Sequence, residues 1–124
     1  MTLYKGMGEK MAGLTTHVLD TANGCPAAGM SLRLYFEGGK LLLETHTNAD
    51  GRCDSPLIAP ENMRPGLYRL EFGVADYYRA KGADLPEPAF LGVVAIEFGL
   101  AEMDAHYHVP LLVSPFGYST YRGS

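Results

Sequence analysis

Along most of the chain, apolar residues recur at every second position, the period of a strand with one buried face. The stretch Met30-Ser31-Leu32-Arg33-Leu34-Tyr35-Phe36-Glu37 places Met30, Leu32, Leu34 and Phe36 on one side. Gly38-Gly39 follows as a two-residue hairpin turn, and residues 40–47 read as the returning strand. Asn48-Ala49-Asp50-Gly51 marks another turn, since Asn, Asp and Gly tolerate left-handed dihedrals. Beyond the breaker Pro65-Gly66, the residues Tyr68, Leu70, Phe72 and Val74 alternate with Leu67, Arg69, Glu71 and Gly73. Val94, Ile96, Phe98 and Leu100 repeat the pattern, as do Tyr107, Val109, Leu111 and Val113. Residues 14–20 and 118–122 are shorter strands.

A single helix is predicted over residues 76–81, between the acidic Asp76 and Gly82, which suits a helix C-terminus. Pro86 and Pro88 prevent its continuation. About seven or eight short strands with regular turn punctuation and one short helix predict an all-β fold, a two-sheet β-sandwich. Strand order does not follow from the pattern.

Composition narrows the partners. The chain has 124 residues, 47% hydrophobic and 19% charged, which fits one soluble globular domain. A formal net charge of -4 and no adjacent pair of Lys or Arg argue against nucleic acid as a partner. No stretch approaches the roughly 20 apolar residues of a membrane span. Residues 1–13 mix Lys5, Glu9 and Lys10 with glycines and lack the apolar run of a signal peptide. They read as a flexible leader to a domain over residues 14–124, and the expected location is cytoplasmic. Cys25 and Cys53 lack metal-type spacing and are expected to be reduced thiols.

The alternation also sorts the polar residues. With Tyr107, Val109 and Leu111 inward, His106, His108 and Pro110 point away from the core. Leu14, Thr16 and Val18 form the core side of their strand, which sends His17 outward. Histidines on an outer face are ordinary solvated side chains unless something else claims them. A His-x-His pair can also chelate a metal from one strand face, with His17 and His46 completing the set, but nearby carboxylates show no ligand spacing. Arg52 follows the Asp50-Gly51 turn, where an arginine is commonly a solubilising charge. Tyr118-Ser119-Thr120-Tyr121-Arg122-Gly123-Ser124 carries strand-forming residues almost to the last position, whereas most chain ends are frayed and polar. An ordered end there would hold a guanidinium, a hydroxyl and a carboxylate in place.

Three segments resemble the signatures of the 5-hydroxyisourate hydrolases, the transthyretin-like proteins. They are Leu14-Thr15-Thr16-His17-Val18-Leu19-Asp20 with Gly24-Cys25-Pro26-Ala27, then Thr47-Asn48-Ala49-Asp50-Gly51-Arg52, and then His106-Tyr107-His108-Val109-Pro110-Leu111-Leu112 through Ser114-Pro115 to Tyr121-Arg122-Gly123-Ser124. The sequence departs from the family at Phe90-Leu91-Gly92, where an aromatic pair followed by proline is common.

The resemblance implies a transthyretin-type sandwich of eight strands, assembled as a homotetramer from two dimers, with active sites on outward sheet faces. It implies a catalytic set of His17, Arg52 and His108, with His17, Arg52, Tyr121 and Ser124 contacting substrate; His106 matches the motif but receives no catalytic role. The implied reaction is ring-opening hydrolysis of 5-hydroxyisourate to 2-oxo-4-hydroxy-4-carboxy-5-ureidoimidazoline in urate degradation, with no metal or cofactor. An imidazole suits the general base and a guanidinium the oxyanion. Sequence does not divide roles between the histidines; His108 is taken as the base and His17 as the positioning group. The alternatives are a non-catalytic small-ligand carrier on the same fold, as in hormone-carrying transthyretin, and a sandwich that only binds another protein.

Overall fold

In the computed structural model, which describes residues 13–123, the chain forms eight strands and one α-helix among the described residues. The strands are β1 (Gly13–Asp20), β2 (Cys25–Pro26), β3 (Ser31–Phe36), β4 (Lys40–His46), β5 (Gly66–Gly73), β6 (Val93–Leu100), β7 (His106–Ser114) and β8 (Gly117–Thr120). Helix α1 (Val74–Ala80) joins β5 to β6. One sheet has the order β2-β1-β7-β8 and the other β4-β3-β5-β6. The expected sandwich is present.

The core lies between the inward faces that alternation selects. Leu14 and Val18 of β1 and Tyr107, Val109, Leu111 and Val113 of β7 meet Leu32, Leu34, Leu70, Phe72, Val94, Ile96 and Leu100 from the other sheet, all buried. Removing this apolar surface from water is the main force holding the sheets together.

The pairing of β1 with β7 positions the site. These strands are parallel and in continuous register, with Gly13 opposite His106, Thr15 opposite His108 and His17 opposite Pro110. Residues more than ninety positions apart thereby share one outer face. Gly13, counted with the leader on sequence grounds, is the first residue of β1; residues 1–12 lie outside the described part.

Two local expectations change. The β3–β4 connection is a 3-10 turn, Glu37–Gly39, rather than a two-residue hairpin loop. The register slips between Leu34 and Tyr35, which pair with Leu43 and Leu41, so Leu42 is an extra residue on β4. Both glycines of the turn take left-handed backbone, with φ of 75° and 106°. The helix starts at Val74 rather than Asp76. Val74 satisfies both periods: it continues the inward set of Phe72, and it joins Tyr77 and Tyr78 on the buried helix face.

That helix is fastened to the site-bearing sheet through Asp20. Its fully buried carboxylate accepts hydrogen bonds from Tyr77 Oη (2.8 Å), Tyr78 Oη (2.7 Å) and Asn23 Nδ2 (2.7 Å), and from the backbone N–H groups of Ala22 and Asn23. Burial alone would raise its pKa, but the donors of Asn23, Tyr78 and Tyr77 outweigh it and hold the carboxyl below its ordinary value. Burial and the bonds to Asp20 push both tyrosines well above theirs, so they stay donors.

Candidate active site

The outer face of the β1–β7 pair carries Thr15 and His17 from one strand and His106 and His108 from the other. His17 Nδ1 lies 2.7 Å from His108 Nε2, and the rings stack with centroids 4.9 Å apart. His108 Nδ1 lies 2.8 Å from Thr15 Oγ1, and His106 Nε2 lies 3.1 Å from the same hydroxyl. Both ring nitrogens of His108 are therefore engaged, whereas His17, which lines the adjacent cavity, uses only Nδ1 among the described residues.

Arg52 reaches this face because of the turn before it. The Asn48 carbonyl accepts from Gly51 N–H, and its side-chain oxygen accepts from the N–H groups of Asp50 and Arg52. Gly51 takes φ of 73°, and a Cβ there would collide with the Val18 carbonyl, so glycine alone permits the close approach. Val18 N–H donates to Gly51 O at 2.8 Å, and Arg52 forms an isolated antiparallel bridge with His17.

The C-terminal segment closes the other side. Gly123 N–H donates to the His108 carbonyl at 2.7 Å, in an isolated bridge. The Arg122 guanidinium lies 4.0 Å over the Tyr107 ring and donates to the His106 carbonyl at 3.2 Å. His108 is consequently only 8% exposed and Pro110 is buried. The expectation of solvated histidines on this face is corrected for His108: it points outward, as alternation required, but the terminal segment covers it.

His17, Arg52, His108 and Tyr121 line one cavity of about 650 Å³, together with Thr15, His106 and the Cys53–Pro56 stretch. The structure brings together these four expected site residues; Ser124 lies outside the described residues. His46 does not join them. It stands in the other sheet, opposite Ser31, so it supplies no further ligand to a His-x-His metal site. Among the described residues no three His, Cys, Asp or Glu side chains are grouped as metal ligands. Cys25 and Cys53 are free thiols.

Burial and neighbouring charge favour the neutral form of both central imidazoles. Burial, and then the Arg52 charge, lower the pKa of His17. Burial lowers that of His108, followed by His17, Arg52 and His106. A neutral imidazole beside a permanent cation provides a proton acceptor and an anion site within one cavity.

The HIUase/Transthyretin family model matches residues 14–123. The chain belongs to that family. A relative from Pseudomonas aeruginosa named 5-hydroxyisourate hydrolase is 56% identical over 122 residues, covering 96% of this chain and 97% of that protein. The solved 5-hydroxyisourate hydrolase of Klebsiella pneumoniae superposes with a TM-score of 0.75 at 34% identity, covering 90% of this chain and 98% of that one. An (S)-allantoin synthase structure superposes with a TM-score of 0.85 at 43% identity over 93% of this chain; the chain spans 45% of that protein. The transthyretin-type sandwich expected from the sequence is the fold of this chain.

Sequence reasoning passed over Thr15. The signal was partly there, since Thr15 lies two residues before His17 and must share its face. That this face also meets His108 depends on the parallel pairing, which alternation cannot reveal.

Proposed function

We propose that the protein hydrolyses 5-hydroxyisourate to 2-oxo-4-hydroxy-4-carboxy-5-ureidoimidazoline, with no metal or cofactor. The observation that carries this reading is the meeting of His17, His108 and Arg52 at one cavity, in a chain 56% identical to a relative named for that activity. In the proposed step, His17 Nε2 takes a proton from water as the water oxygen bonds to the ring carbonyl carbon. This assignment replaces His108 as the base, because both nitrogens of His108 are already held. Arg52 stabilises the negative charge that grows on the carbonyl oxygen. The intermediate then collapses, the ring C–N bond breaks, and the proton goes to the departing nitrogen. Water is thus added across the bond. Tyr121 lines the same cavity and is assigned to substrate contact, as is Ser124, three residues further along the chain.

The same proposal includes assembly as a homotetramer, a dimer of dimers. The sheet orders leave β6 and β8 as edges, with exposed Val93, Phe116 and Tyr118 on or beside them, and such edges favour pairing with another chain. It also includes a cytoplasmic location, which the free thiols Cys25 and Cys53 suit. Light scattering and cell fractionation test these two points.

The catalytic reading is tested with freshly generated 5-hydroxyisourate, following its ultraviolet decay against the spontaneous rate. His17→Ala, His108→Ala and Arg52→Ala should each lower turnover about a hundredfold or more; the exposed Arg52→Ala should leave the thermal midpoint nearly unchanged, whereas His108→Ala, at a buried and doubly hydrogen-bonded position, should lower it. Decay no faster than the spontaneous rate with the native protein would overturn the reading.

A further inference from the structure

Thr15 and His106 are polar side chains at this cavity with no part in the step above. Together with His17 and His108 they form an unbroken hydrogen-bonded row. His17 Nδ1 meets His108 Nε2 at 2.7 Å, His108 Nδ1 meets Thr15 Oγ1 at 2.8 Å, and Thr15 Oγ1 meets His106 Nε2 at 3.1 Å.

A hydroxyl has one proton to give, and a neutral imidazole carries one donor and one acceptor nitrogen. The neutral row has two fully bonded arrangements in which the hydroxyl gives its proton within the row, and a third in which it accepts from both His108 and His106. In the first, His17 Nδ1–H donates to His108 Nε2, His108 Nδ1–H donates to Thr15, and Thr15 donates to His106 Nε2. His17 Nε2 then carries a lone pair. In the second, every bond is reversed and His17 Nε2 carries a hydrogen. When His106 Nε2 accepts, Thr15 must donate to it and His108 must donate to Thr15, which leaves the lone pair on His17 Nε2; the hydroxyl thereby ties the state of His17 to that of His106, although their rings are not bonded to each other.

We infer that Thr15 and His106 form a proton relay that moves the charge gained by His17 to His106 during the hydrolytic cycle. The inference rests on the hydrolase reading above. When water attacks, its O–H bond breaks and the proton bonds to His17 Nε2. The Nδ1 proton of His17 passes to His108 Nε2, that of His108 Nδ1 to Thr15 Oγ1, and that of Thr15 to His106 Nε2. The row ends in the second arrangement with His106 as the imidazolium. The reverse sequence returns a proton through His17 Nε2 to the departing ring nitrogen, so atoms and charge balance.

The surroundings give the transfer its purpose. Burial and the Arg52 charge both oppose positive charge on His17 and on His108. His106 is half-buried at the rim of the cavity. The other charged groups facing this row are Arg122, bonded to the His106 carbonyl, and Asp54, which lines the cavity and accepts from Asn48. Displacing the charge along the row separates it from the guanidinium that must hold the oxyanion.

Thr15→Val keeps the side-chain shape and removes the hydroxyl, whereas Thr15→Ser retains it. Thr15→Val should lower kcat about tenfold with KM unchanged, less than the hundredfold or more of losing the base itself. Thr15→Ser should return most of the lost rate. In mixtures of light and heavy water, kcat of the native enzyme should fall along a curve, and that of Thr15→Val along a straight line, because several protons no longer move together. His106→Asn, at a half-buried position, should reproduce the Thr15→Val result and covers the case in which Thr15→Val does not fold. A second measurement needs no substrate. With nitrogen-15-labelled histidines, the NMR titrations of His17 and His106 should be coupled in the native protein and independent in Thr15→Val. Native kcat in Thr15→Val or His106→Asn, or uncoupled titrations in the native protein, would overturn the relay. An inactive native protein with coupled titrations would instead overturn the hydrolase reading and leave the proton coupling of His17 to His106 standing.

Discussion

Substituting Gly123 by alanine tests whether the C-terminal segment belongs to the active site or merely covers it. A Cβ at position 123 would stand 2.9 Å from His108 Cδ2 and 3.5 Å from its Cβ and Cγ. The first distance is half an ångström short of ordinary contact, which begins at 3.4 Å. The His108 ring has little room to retreat, because Thr15 holds one nitrogen and His17 the other. Either the ring shifts and lengthens its 2.7 Å bond to His17, or the segment lifts and breaks the Gly123 N–H bond to the His108 carbonyl. A displacement of about 1 Å at a reacting group costs about a hundredfold, so half of that should lower kcat/KM about tenfold. The loss of one backbone hydrogen bond is worth about 1 kcal/mol, and the thermal midpoint should fall by about 4 °C. Gly117→Ala is the control, since a Cβ there meets nothing closer than 3.9 Å. The assay compares ultraviolet decay of 5-hydroxyisourate and thermal midpoint for the two variants. A Gly123→Ala protein with native rate would refute the role assigned to the segment.

Three further outcomes are expected. The acid limb of the kcat/KM profile should have its midpoint below pH 6.5, because burial and Arg52 lower the pKa of His17 and a base works only when neutral; Arg52→Gln should raise that midpoint while lowering the rate. Asp20→Asn should cost about 2–3 kcal/mol in denaturant unfolding near neutral pH, since the buried carboxylate loses charge-assisted bonds to Tyr77, Tyr78 and Asn23. Because the folded pKa of Asp20 is depressed, its contribution is present above the ordinary value of 3.8 and fades as pH falls from there through the folded value, so the native and Asp20→Asn proteins should converge in stability in that acid range. Incubation with a strong chelator should leave the hydrolysis rate unchanged; loss of activity restored by zinc would show that the histidines serve as ligands.

How much of this was legible in the sequence follows from what alternation can and cannot encode. A period of two assigns each residue to a face, so it placed Leu14, Thr16 and Val18 inward and His17, His106 and His108 outward, as the structure has them. It does not name the neighbouring strand. The parallel partnership of β1 and β7 spans most of the chain, and only that partnership sets Thr15 level with His108. Burial on the outer face was hidden for the same reason, because the cover over His108 comes from Gly123 and not from its own strand. The Gly38-Gly39 turn was visible by composition, but neither glycine announces its 3-10 geometry or the register shift between Leu34 and Tyr35. Roles are one step more remote than places. Residue type made both His17 and His108 fit as the base, and choosing between them requires knowing which nitrogens are already bonded. His108 has none to spare, since Thr15 and His17 hold both. The proposed base is therefore the histidine with an uncommitted nitrogen, a property of the paired strands that neither segment contains alone.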